Sequence, residues 1–157
     1  MTAESTQIVR VRVNISGIRL IGFVSLPPPG EFSRFSDVLN SVKPYILIRD
    51  REGSPEPGDG PSQAVLKGSI TYVEALGWPG FQRRSSQGTF EAVAVSLKKP
   101  VVTLSGELFV PQHVTALDVF NDGRRFINFR NVEFRDSAEA YDFLAVGKAQ
   151  AYLIELS

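Results

Sequence analysis

Two short stretches carry the residue types best suited to chemistry, Asp37-Val38-Leu39-Asn40 and Asp118-Val119-Phe120-Asn121. Each sets a carboxylate and a carboxamide in a loop entering one helical turn, a combination that can hold a polar ligand. The same residues have a structural use: an acidic side chain in a first turn and an Asn at its end satisfy backbone groups that a helix leaves unpaired. Catalysis has less to draw on. The chain has no Cys, and His113 is its single His, so disulfides, thiolate metal sites and zinc sites built on two or more His are excluded within one chain. No Ser or Cys is positioned with His113 for a nucleophilic triad, and nothing brings Asp37 and Asp118 together as an acid and base pair. Gly58 and Gly60 lack the Lys-Ser/Thr ending of a phosphate loop. The residues therefore predict a protein that binds rather than catalyses, with no cofactor and no metal.

The charge balance narrows the partners. Among 157 residues, 17 Lys and Arg face 17 Asp and Glu. Splitting the chain at Gly80 leaves eight of each sign before it and nine of each after it. Neither half offers the bulk positive charge that neutralises phosphates. The doublets Arg83-Arg84, Lys98-Lys99 and Arg124-Arg125 would have to gather on one face, with Trp78, Phe81 or Phe126 as stacking platforms, to track a nucleic-acid backbone. Trp78 and Phe81, next to Arg83 and Arg84, otherwise read as packing between two halves or as a partner-binding patch. No apolar run reaches the length of a membrane span and no signal peptide is evident, so a cytoplasmic location is the default expectation.

The elements that must hold these loops are mostly strands. Val9, Val11 and Val13 alternate with Arg10, Arg12 and Asn14 in the period-two pattern of a strand with one wet face. Ser16-Gly17 predicts a tight hairpin turn into a second strand over 18–26, which Pro27-Pro28-Pro29 ends. A loop over 33–40 entering one short helical turn with Ser36 as its cap, a strand over 45–48, an exposed loop over 51–64 and a strand or bent pair over 66–76 follow. After the Gly/Pro/Arg-rich stretch at 77–89 the pattern restarts, with strands over 90–97, 101–110, 126–129 and 152–156. Residues 137–145, SAEAYDFLA, carry helix formers behind a Ser cap signal.

The restart reads as an internal duplication. At an offset of 84, Val9, Val11, Gly22 and Pro27 match Val93, Val95, Gly106 and Pro111. At an offset of 81, Asp37, Val38, Asn40, Ile46 and Arg49 match Asp118, Val119, Asn121, Ile127 and Arg130, and at 80, Tyr72 and Leu76 match Tyr152 and Leu156. The expected organisation is a first β repeat over 7–76, a linker over 77–89 and a second β repeat over 90–157. Units of about 70 residues have small cores and need to pack on each other. The expected fold is mainly β, two tandem small barrels of the SH3-like or Sm-like kind with short helical turns, leaving strand edges that favour self-association or a protein partner.

The first repeat resembles the Sm-like family of RNA-binding barrels. The residues that carry the resemblance are Gly22 in the second strand, Asp37-Val38-Leu39-Asn40, and Leu66-Lys67-Gly68-Ser69-Ile70-Thr71-Tyr72-Val73. The resemblance implies a base-binding site at Asp37, Asn40, Lys67 and Gly68, with single-stranded RNA as the alternative partner. The chain also resembles an uncharacterised group of small bacterial proteins with an Arg-x-Ser-Asp-x-Leu-Asn loop, here Arg34-Phe35-Ser36-Asp37-Val38-Leu39-Asn40. The leading expectation is a non-enzymatic interaction or assembly module that uses strand edges and the two Asp-x-x-Asn loops.

Overall fold

A computed structural model describes residues 7–26, 35–49, 62–76 and 87–156. Strands β1 (Gln7–Ile15) and β2 (Ile18–Leu26), helix α1 (Phe35–Asn40), and strands β3 (Tyr45–Arg49), β4 (Ser62–Leu66) and β5 (Ile70–Leu76) form the first half. The second half has β6 (Gly88–Leu97), β7 (Val102–Pro111), α2 (Ala116–Phe120), β8 (Phe126–Phe134), β9 (Ala140–Gly147) and β10 (Ala151–Leu156). One 3₁₀ turn separates β4 from β5 at Lys67–Ser69, and another separates β9 from β10 at Lys148–Gln150.

All ten strands join one antiparallel sheet in the order β10-β6-β7-β8-β9-β5-β1-β2-β3-β4. The order within it repeats, β5-β1-β2-β3-β4 against β10-β6-β7-β8-β9. The fold is mainly β, and its single sheet is continuous through β9 and β5 and does not close.

Alternation builds the core as expected: Val9, Val11 and Val13 are buried while Arg10 between them is exposed. Ser16 and Gly17 turn with φ of 52° and 96°, the left-handed pair that suits a two-residue hairpin. The Asn14 carboxamide oxygen accepts from the Gly17 N–H at 2.8 Å and pins that turn. Gly22 and Gly106 share a physical reason. A Cβ on Gly22 would stand 2.6 Å from the Arg49 carbonyl oxygen, and one on Gly106 would stand 3.2 Å from the Phe129 Cβ, so both let the third strand of their half approach closely.

Several expectations are corrected. The stretch 137–145 is not a helix; Ala140–Gly147 is strand β9, inserted between β8 and β5. Leu144, Ala145 and Val146 are buried there, and this burial outweighs helix propensity. The Ser signal belongs to a turn, in which the Ser137 hydroxyl accepts from the Glu139 N–H. Ser36 lies inside α1, whose first residue is Phe35. The strand over 66–76 is two strands joined by a 3₁₀ turn, and β4 begins at Ser62, within the stretch read as loop. β6 begins at Gly88, two residues ahead of the expected second repeat.

Pairing registers also revise the correspondence between halves. Val11 stands opposite Gly22 and Val93 opposite Gly106, so β1 maps onto β6 at an offset of 82. Phe23 opposite Arg49 maps onto Glu107 opposite Arg130, which keeps β2 at 84 and β3 at 81. Bulges at Thr71 and Tyr152 bring β5 onto β10 at 81, so Tyr72 corresponds to Leu153.

Candidate functional site

The Asp-x-x-Asn loops are tied to the two 3₁₀ turns by lysines. The buried Lys67 ammonium donates to the Val38 carbonyl at 2.7 Å, the Ser41 hydroxyl at 2.9 Å and the Ser41 carbonyl at 3.2 Å. Burial, with the cations of Arg125 and Lys43 nearby, pulls its pKa down to about 8. In the second half Lys148, 81 positions on, donates to the Asp122 carboxylate at 2.8 Å, and Asp122 corresponds to Ser41. The backbone agrees: the Lys67 N–H donates to Pro44 at 2.8 Å and the Lys148 N–H to Arg125 at 2.9 Å. Desolvation raises the Asp122 carboxyl, but bonds from Lys148 and the Arg124 N–H outweigh it and hold the pKa below the usual range. Lys148, Ser41 and Asp122 escape a motif search because Gly147-Lys148 looks like an inverted Lys67-Gly68. The ungapped offset through Asp37 and Arg49, extended to Lys67, finds them.

The acidic members of the loops differ. Asp118 sits in a capping box: its carboxylate accepts from the Thr115 N–H at 2.8 Å, while the Thr115 hydroxyl accepts from the Asp118 N–H at 3.2 Å. The bonds to Thr115 hold the Asp118 carboxyl below its ordinary range. Asp37 lies in the first turn of α1.

Asn40 crosses between the halves. Its carboxamide oxygen accepts from the Phe126 N–H at 2.8 Å, and its nitrogen donates to the Ser36 carbonyl at 3.0 Å. Beside it, β5 pairs with β9, Tyr72 opposite Val146 and Val73 opposite Ala145. Gln150 donates to the Gly68 carbonyl at 3.0 Å, and the Thr71 hydroxyl donates to the Lys99 carbonyl. Phe126 and Ala145 belong to the apolar core of the first half, and Tyr72 to that of the second. Asn40, Lys67 and Gly68 thus meet at this joint with their polar groups bonded to the protein. Phe126 is only 1% exposed and is no stacking platform.

Among the described residues the ends of the sheet repeat the two sides of this joint without a paired strand. Phe126 corresponds to Tyr45, which is 56% exposed. Tyr72, at 6%, corresponds to Leu153, at 50%, and Thr71, at 0%, to Tyr152, at 55%. Leu47 and Leu66 near the β4 edge and Leu156 on β10 are also exposed. Asn121, the counterpart of Asn40, is exposed and makes no side-chain hydrogen bond among the described residues.

Other sequence candidates lie elsewhere. Trp78, Phe81, Arg83 and Arg84 fall outside the described residues. His113 is exposed in the turn after β7, in an open hollow with Gln87, Val110 and Gln112. Arg130 donates to Glu107 at 2.7 Å and stacks over the Phe90 ring at 3.3 Å, and its bond is the largest of the interactions that keep the Glu107 carboxyl below its ordinary range. Among the described residues no group of three His, Cys, Asp or Glu side chains could hold a metal ion, and no helix is long and apolar enough to cross a membrane. No family model, curated protein or solved structure matches this chain.

Proposed function

We propose that this chain is a non-enzymatic assembly module made of two related small β units of the Sm-like or SH3-like kind, acting through the open edges of its sheet. One observation carries this reading. Phe126, Thr71 and Tyr72, buried where β5 meets β9, have exposed counterparts in Tyr45, next to the β4 edge, and in Tyr152 and Leu153 on β10, while Val65, the counterpart of Val146, is buried in its own half. Among the described residues these edge strands carry little of the usual protection: β4 reads SQAVL, with no charge and no Pro, and β10 reads AYLIEL, with Glu155 as its single charge. The duplicated loops serve the same end by fixing each unit's helix against a strand edge.

The RNA reading draws no support from this geometry. Lys67 directs its three donors to the Val38 and Ser41 oxygens, and Asn40 bonds the Phe126 N–H and the Ser36 carbonyl, so in this arrangement both act on the protein itself.

The test is the size of the chain in cell extract, measured by gel filtration. Assembly predicts elution well above its 17.3 kDa mass, and collapse to that mass when Leu66→Glu and Leu153→Glu are combined with the fold retained by circular dichroism. A wild-type chain eluting as a monomer in extract would overturn the proposal.

A further inference from the structure

We infer that the partner is a second copy of this chain, joined head to tail: β10 of one molecule pairs with β4 of the next, and Asn121 of the first accepts from the Tyr45 N–H of the second. This inference rests on the assembly reading above and names its occupant.

The internal joint supplies the template. It sets the fifth-strand edge of the first half, β5, against the fourth-strand edge of the second half, β9. The remaining edges are of the same two kinds, a fourth-strand edge on β4 and a fifth-strand edge on β10. Translating the internal register by 81 places Leu153 opposite Val65 and Ile154 opposite Ala64 of the next copy. Tyr152 then faces Leu66, and Asn121 comes to the place that Asn40 holds beside Phe126. Tyr45 enters the second-half core as Phe126 enters the first. An interface that joins two different patches is heterologous, so it closes into a ring or runs on as a filament. Pairing of β4 with β4, or of β10 with β10, would leave Asn121 and Tyr45 apart.

The two joints differ at one position. Gly147 lets the backbones approach so closely that a Cβ there would stand 2.2 Å from the Ile70 carbonyl oxygen, whereas β4 has Leu66. The outer joint is therefore wider at that point than the inner one. Its assembly is reversible and depends on concentration.

Light scattering and native mass spectrometry on the purified chain test this. The wild type is expected at a multiple of 17.3 kDa. Leu66→Glu blocks one edge and Leu153→Glu the other, so each variant alone is expected as a monomer, and the two mixed are expected to form a dimer through the edges left intact. Asn121→Ala, which leaves both strands unaltered, is expected to weaken association about five- to tenfold, the usual effect of one lost hydrogen bond. A Leu153→Glu variant that still self-associates, or two variants that do not complement while both keep the wild-type circular dichroism, would overturn head-to-tail pairing. A monomeric purified wild type would overturn it too. If the chain in extract then still runs large and loses that size on edge substitution, assembly stands with another partner; if it runs as a monomer there as well, both readings fall.

Discussion

Lys67 ties a loop to a turn through a single side chain. Its ammonium closes the loop after α1 through three acceptors. Lys67→Met would leave the half-buried Val38 and Ser41 oxygens without this donor and is expected to lower unfolding stability by about 1–3 kcal/mol in urea titration. Lys148→Ala removes only a partly exposed ion pair to Asp122, and a loss below about 1 kcal/mol is expected. The depressed pKa of Lys67 gives a second test. The unfolded chain keeps this proton to the ordinary 10.5, while the folded chain releases it near 8. Between those values the unfolded state binds more protons, so stability rises with pH across the window. Tyr141, pushed up to about 12 chiefly by burial, acts in the opposite sense above pH 10. Urea midpoints should therefore climb from pH 8 to 10 in the wild type and lose this component in Lys67→Met.

At the scale of elements, the joint between β5 and β9 depends on close approach. Gly147→Ala would drive a Cβ into the Ile70 carbonyl, so the strands must part. Amide exchange at Tyr72 and Val73 is expected to speed up strongly, with a stability loss of at least about 2 kcal/mol. Gly68→Ala has nothing within 4 Å of the added Cβ and should be nearly neutral in both measurements. The strands themselves were legible in sequence where one face is wet, as over Val9 to Val13. β9 was not, because its apolar run is buried between two neighbours and carries no alternation to distinguish it from a helix. The offset of β1 escaped for a related reason: a slip of two residues keeps the same side chains facing inward, so Val11 matches Val95 as readily as Val93.

For the whole molecule, the exchange of core residues couples the halves. Phe126 lies in the second half by sequence and in the first half's core by packing, while Tyr72 does the reverse. A single unfolding transition is expected, with equal calorimetric and van't Hoff enthalpies. Phe126→Ala should cost about 3–5 kcal/mol and lower the stability of both halves together. Tyr45→Ala, at the exposed counterpart, should cost the isolated monomer less than about 0.5 kcal/mol. Two separate transitions in the wild type would show that the halves fold independently.

By itself the sequence determined a mainly β chain with a repeated pattern, the hairpin at Ser16-Gly17 and the paired Asp-x-x-Asn loops, because alternation and turn chemistry are local and write themselves into neighbouring residues. Only the tertiary structure decided that the two halves share one sheet, that Asn40 and Lys67 are held by protein groups, and that Tyr45, Tyr152 and Leu153 stand exposed where their counterparts are buried. Those outcomes depend on which edge meets which, a long-range choice that spacing along the chain does not encode.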